Sequence, residues 1–177
     1  MRKSLRLTVA AAVVAAITSS VALAAVTVKS LPTATFGSPD AASVTVSGGN
    51  FSGLGNIQAF ANLTVNGTVS YQCANPQGHL SPGQNPVPAS PGNSSVGLSN
   101  SDHNGRATIP NLTATATAPN PAPSAQTVGC GGSGSTQWTV VNPVVTVTGA
   151  TLTITHGQGT AVIFCRNYTT SGTGTAC

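Results

Sequence analysis

From Ile57 to Cys73 the odd positions read Ile57, Ala59, Ala61, Leu63, Val65, Gly67, Val69, Tyr71 and Cys73, while the even positions are polar except Phe60. Successive side chains of a strand point to opposite faces, so this period of two predicts a half-buried strand with its odd face inward. Asn66-Gly67 invites a two-residue hairpin turn, but that turn would set Val65 opposite Thr68 and Leu63 opposite Ser70, mixing apolar and polar residues on both faces. The phase survives with a three-residue loop over Val65, Asn66 and Gly67, or with one long bent strand.

The C-terminal part predicts a second alternating region. Thr148-Gly149 is expected to turn the chain after Val144 to Val147, and Ala150, Leu152 and Ile154 then alternate with Thr151, Thr153 and Thr155. A loop over His156 to Gly159 would place Ile154 opposite Ala161, Leu152 opposite Ile163 and Ala150 opposite Cys165 on one apolar face. Cys165 would point inward, with Val162 and Phe164 on the other face. Further strands are expected near Ala42 to Ser47, Arg106 to Ile109, Leu112 to Thr117 and Gln137 to Val141. Pro110 and Pro143 each coincide with a change of apolar phase, which predicts bulges or strands that switch sheets. The proline-rich stretch Asn75 to Ser95 and the proline- and glycine-rich stretch Ala118 to Ser135 are expected to be long ordered loops, since Cys73 and Cys130 stand at their borders.

Many short strands with long connections predict an all-β fold, a β-sandwich first and an open β-barrel second. Tyr71-x-Cys73 resembles the tyrosine corner of immunoglobulin domains. Trp138, however, follows Cys73 instead of lying between an early cysteine and it, so the expectation is an immunoglobulin-like architecture without the antibody-type motif. Composition agrees with strands: Thr, Val, Ala, Ser, Asn and Gly dominate and there is no Glu, whereas a helical domain would want Glu, Lys and Leu on a 3.6-residue period.

The N-terminus changes how charge is read. Arg2, Lys3 and Arg6 precede an uncharged run from Leu7 to Ile17 and the small-residue stretch Val21-Ala22-Leu23-Ala24, which reads as a signal peptide over residues 1–24 with cleavage after Ala24 or Ala25. The run is too short and Ala-rich to anchor in a hydrocarbon core of roughly 30 Å. An extended segment over 25–41 and a single β domain over 42–177 are expected to follow. Beyond the signal the chain keeps Lys29, Arg106 and Arg166 against Asp40 and Asp102, a net charge of +1, so the basic isoelectric point belongs largely to the export signal. That excludes the Lys/Arg cluster a nucleic-acid partner needs, and a polybasic membrane patch on the same count.

Four cysteines, Cys73, Cys130, Cys165 and Cys177, in an exported chain read as two disulfides, with no C-x-x-C pair to favour zinc. Three connectivities are possible, and Cys73–Cys130 with Cys165–Cys177 is the one we favour. With few large apolar side chains the core is expected to be thin and the covalent staples correspondingly important.

The elements Phe51-Ser-Gly-Leu-Gly-Asn56, Tyr71-x-Cys73-x-Asn75-Pro76-x-Gly78, Pro82-Gly83-Gln84-Asn85-Pro86 and Cys130 ahead of Trp138 resemble a group of small secreted proteins of uncharacterised function from high-GC Gram-positive bacteria. The resemblance implies export and a β-rich fold, and no activity.

Acid–base chemistry has little material. Paired carboxylates would have to come from Asp40 and Asp102, and a Ser-His-Asp triad from His79, His103 or His156 without a G-x-S-x-G elbow. Asp102-His103 reads as a solvated turn before Gly105, and His156 as part of the hairpin loop. The histidines lie in separate turns without metal-ligand spacing, and Gly129 to Ser135 lacks the GK[ST] of a phosphate loop. We therefore expect no catalysis, no cofactor and no metal. Binding is the remaining chemistry: Trp138, Tyr71, Tyr168 and Phe51 are candidate aromatic platforms for a sugar ring, with Asn75, Gln77, Gln84 and Asn85 as hydrogen-bonding groups. The expected partner is a cell-wall polysaccharide or a protein. A core role for Tyr71 and Trp138 is the blander expectation, because both lie in phase with apolar neighbours.

Overall fold

The computed structural model describes residues 26–37, 42–55, 58–98, 105–131, 137–157 and 161–177. Among them are ten strands and no helix: β1 (Thr27–Phe36), β2 (Ser43–Ser52), β3 (Ala59–Ala74), β4 (Leu80–Pro82), β5 (Val87–Pro88), β6 (Gly92–Leu98), β7 (Ala107–Thr115), β8 (Thr139–His156), β9 (Ala161–Tyr168) and β10 (Thr175–Ala176). They form two antiparallel sheets. The smaller has the order β1-β2-β7; the larger runs β10-β9-β8-β3, with β6, β5 and β4 following one another along the far edge of β3. The sheets face each other as a sandwich and do not close into a barrel. The extended N-terminal segment is itself a strand, β1, laid along β2.

β3 takes the bent-strand option. Its odd residues stay inward throughout, with Ala59, Ala61, Leu63, Val65, Val69, Tyr71 and Cys73 all buried. β8 accompanies it from Ala59↔His156 to Ala74↔Thr139. Thr148-Gly149 is accordingly a bulge and not the expected turn: Asn66 pairs with Gly149 and Gly67 with Val147, leaving Thr148 as the extra residue. Turning there would strand the backbone groups of Thr68 to Ala74 without a ladder on that side. The glycines instead permit close approach, since a Cβ on Gly67 would lie 2.6 Å from the Thr146 carbonyl oxygen and one on Gly149 3.1 Å from that of Tyr168. The two prolines mark bulges as expected. β8 spends three steps, Val141 to Val144, against two on β3, and Asn142 there has φ +51° with its Nδ2 donating to Gln72 Oε1 at 2.6 Å. β7 does the same around Pro110, between Ile109 and Leu112.

The β8–β9 hairpin forms in a different register from the one expected. His156 pairs with Ala161, Thr155 with Val162 and Ile154 with Phe164, so Ile163 is an extra residue and the faces exchange. Phe164 and Tyr168 then share a face with Ile154 and Ala150, while Cys165 lies opposite Thr153 on the outer face. Hiding two aromatic rings removes far more apolar surface from water than hiding one cysteine. Tyr168 is 1% exposed, and Phe164 meets Phe51 of the facing sheet edge-on at 5.0 Å. Strands β4, β5 and β6 lie wholly or partly within Asn75 to Ser95, which was expected to be loop. Within 118–131 no strand occurs, and Val128 and Cys130 of that loop are buried.

Both margins of the sandwich are sewn by single β-bridges. Ser90 and Thr117 exchange hydrogen bonds at 2.8 and 3.1 Å, and Ala34 and Gly172 at 2.8 and 2.9 Å. The second seam joins β1 to the loop closed by Cys165–Cys177, where Ser171 Oγ also accepts from the Phe36 N–H at 3.1 Å. The other disulfide is Cys73–Cys130, so the favoured connectivity is the observed one.

A Cβ on Gly92 would sit 2.2 Å from the Thr115 carbonyl oxygen, so Gly92→Ala should cost about 3 kcal/mol in urea unfolding. Gly48→Ala, at φ +71° in open space, should cost about 1 kcal/mol. Replacing both cysteines of the bridge spanning 57 residues by Ala should cost about 4 kcal/mol, against about 3 kcal/mol for the bridge spanning 12, read from denaturant midpoints. Burial pushes the Tyr168 phenol from 10.0 up to about 12, with nearby Arg166 opposing the shift. The fold thus favours the neutral phenol: this contribution is complete below pH about 10 and is lost as pH rises toward 12. Tyr168→Phe should flatten the alkaline decline in stability over that window, followed by circular dichroism.

Candidate functional site

The polar residues singled out in the sequence serve the backbone as much as any ligand. Asn75 closes the turn from β3 to β4: its Oδ1 accepts from the N–H groups of Gln77 at 3.0 Å and His79 at 2.8 Å, and its own N–H donates to the His79 carbonyl at 3.1 Å. This is an Asx turn, the local reason for asparagine at this position. Gln77 is exposed at its tip. Asn85 is exposed, and its N–H donates to the Val128 carbonyl at 3.1 Å. Gln84 and Asn85 crowd Gly129, where a Cβ would stand 3.0 Å from Gln84 Cβ. Trp138 is half-buried immediately before β8 and packs on the rim of the core. Because Thr139 pairs with Ala74, one further step along the ladder sets Trp138 abreast of Asn75.

The other aromatic candidates are interior. Phe51, Tyr71 and Tyr168 are 1%, 5% and 1% exposed, so none offers a platform to a sugar. Burial also raises the Tyr71 phenol above its usual range. His156 is the last residue of β8 and not a loop residue; paired with Ala59 on one side and Ala161 on the other, it is buried. His79 is exposed beside the Asn75 turn. Asp40, Asp102 and His103 lie outside the described residues. Among the described residues no group of three His, Cys, Asp or Glu could hold a metal, and no side-chain carboxylate is present.

A feature not singled out in the sequence is the outer face of the large sheet, which carries hydrogen-bonded pairs of hydroxyls and amides in register. Thr64 Oγ1 donates to Asn93 Oδ1 at 2.9 Å, Ser95 Oγ to Asn62 Oδ1 at 2.7 Å, and Thr151 Oγ1 to Asn167 Oδ1 at 2.8 Å. The ladder register puts Asn93, Thr64, Thr151 and Asn167 in one row across four strands, and Ser95, Asn62 and Thr153 in the next. Neighbouring strands lie about 4.8 Å apart and successive outward residues about 6.8 Å apart, so the array repeats in two directions. A shallow depression of about 250 Å3 between β3 and β6 is lined by Asn62, Thr64, Asn93 and Ser95. The small sheet repeats the pattern, with Thr45 and Thr113 hydroxyls 2.8 Å apart. The signal for these arrays was present as Thr, Ser and Asn on the outward phase of each strand, but their alignment depends on register, which the turns and bulges decide.

Such a surface is neutral and holds its donors and acceptors in fixed positions. It can hydrogen-bond to a hydroxylated or amide-bearing surface, and it contains no group that would take or give a proton near neutral pH. Comparison with protein-family models, curated proteins and solved structures finds no match to this chain.

Proposed function

We propose that this chain is an exported, non-catalytic β-sandwich protein of the extracellular space or the cell surface, with a structural or adhesive role. Export is supported by the basic, apolar and small-residue order of residues 1–24 and agrees with two disulfides, which persist in oxidising compartments. The resemblance to secreted proteins of high-GC Gram-positive bacteria points the same way. The observation that carries the adhesive role is the set of hydrogen-bonded Thr/Asn/Ser pairs on the large sheet: the members of each pair pre-order one another, so contact with a polymer costs little further side-chain entropy.

A second reading, a carbohydrate- or wall-polymer-binding module centred on Trp138 and the segment Asn75 to Ser95, is favoured by the half-exposed Trp138 abreast of the Asn75 turn. The two place the contact on different surfaces. Oxidised protein of residues 25–177 should be retained saturably on washed cell walls or on one insoluble polysaccharide. Combined Thr64→Val and Thr151→Val, which keep the branched shape and remove two hydroxyls, should lower that retention about tenfold if the array is the contact. Loss with Trp138→Ala instead, the valine variant being retained normally, selects the second reading. A robust hydrolytic activity abolished by Asp102→Ala would refute both.

A further inference from the structure

The end of the small sheet where β1 begins, β2 ends and β7 begins holds a cleft of about 460 Å3 bordered by Lys29, Asn50, Ser52, Arg106 and Thr108. We propose that this cleft binds an oxyanion group, phosphate or carboxylate, of an extracellular polymer. Beyond the signal the chain has only three Lys or Arg residues, and two of them, remote from each other in sequence, line this one cleft. Among the described residues no acidic side chain lines it.

The sheet is irregular at this place in both ladders. Val28 pairs with Phe51 and Ser30 with Asn50, which makes Lys29 the extra residue of a bulge in β1. Gly48 pairs with Ile109 and Asn50 with Thr108, which makes Gly49 the extra residue of a bulge in β2. Bulges re-aim side chains, and these two converge on Asn50. Asn50 is fixed from both sides: its Nδ2 and N–H donate to Ser30 Oγ at 2.9 and 3.0 Å, and its Oδ1 accepts from Thr108 Oγ1 at 2.6 Å. Below it Phe51, 1% exposed and held edge-on by Phe164, provides a rigid floor. Arg106 is engaged by a neighbour of its own, and a guanidinium with five donors can be anchored and still present N–H groups to an anion. Lys29 is exposed, so its attraction is screened by salt. An edge-strand lysine can also serve to discourage sheet-to-sheet pairing, but that role requires neither Arg106 nor a cleft.

The test is an amide NMR titration of the oxidised protein, residues 25–177, at low salt with inorganic phosphate, poly(glycerol phosphate), polygalacturonate and neutral dextran. Saturable shifts of the Asn50, Ser52 and Thr108 amides are expected with at least one anion, while Thr45 and Thr113 of the same sheet stay still. The polymer that binds more tightly identifies phosphate or carboxylate as the natural group; binding of free phosphate alone, with neither polymer, overturns the polymer assignment. The affinity should fall several-fold as salt passes about 0.1 M, and about fivefold in Lys29→Gln, a change at an exposed residue that leaves the fold intact. No saturable shift with any anion, equal shifts with dextran, or an unchanged Lys29→Gln would overturn the proposal. The proposal is independent of the adhesive role: anion-dependent shifts without wall retention leave it standing, and wall retention without such shifts removes it.

Discussion

The ladder between β3 and β8 is the constraint on which the rest of the structure depends. Two strands of 16 and 18 residues run side by side for nearly their whole length, and the other strands of the large sheet are placed by one of them, β10 through β9. β6, β5 and β4 line the free edge of β3 in turn, and β9 pairs with the second half of β8. Strands this long twist, and the bulges opposite Asn66 and Gln72 absorb the twist without breaking the ladder. The inner face of β3 is covered in two different ways. Along the row of Ala61 and Ile154 the small sheet approaches the large one, with Phe51 meeting Phe164 of β9. Near Tyr71 and Cys73 the cover is the loop carrying Val128 and Cys130, bonded covalently to Cys73. A loop without strands brings no ladder of its own to hold it down, which is a physical reason for a disulfide at this point.

How much of this was legible follows the same division. The period of two along β3, the proline-marked bulges and the redox reading of the cysteines are local properties of sequence, and each appears in the structure as expected. Register is not local. Ile163 slips out of the β8–β9 ladder, and this one extra residue exchanged Cys165 for Phe164 on the inner face. β6 shows no apolar period of two in sequence because its inward positions are Gly92, Ser94, Val96 and Leu98, two of them without an apolar side chain. Gly92 is there because the Thr115 carbonyl passes where a side chain would stand, a tertiary demand that no periodicity records. The candidate site divides likewise: the turn chemistry at Asn75 is readable from neighbouring residues, whereas the array and the cleft exist only once distant strands are aligned.

Thr is a favourable outward residue for a strand and carries no charge. In this chain, with five charged side chains beyond residue 24, solubility and surface structure fall to hydroxyls and amides that bond to one another across strands. Cross-linking of that kind limits the freedom of each side chain, so the outer faces are more ordered than a carpet of lysine and glutamate would be. An ordered neutral face is poor at attracting partners from a distance and well suited to holding one already in contact.

The Lys29–Arg106 cleft supplies what those faces lack. Its charges act over roughly a Debye length, about 8 Å at physiological salt, beyond the reach of a hydrogen bond. Both features belong to a frame whose two margins are closed, one by Ser90 with Thr117 and the other by Ala34 with Gly172 inside the loop of Cys165–Cys177. The second closure bears directly on the cleft, because Ala34 and Lys29 share β1, an edge strand whose other neighbour is β2. Opening that margin would leave β1 held by β2 alone. The loop of the Cys165–Cys177 disulfide is thus joined to the same strand that carries Lys29.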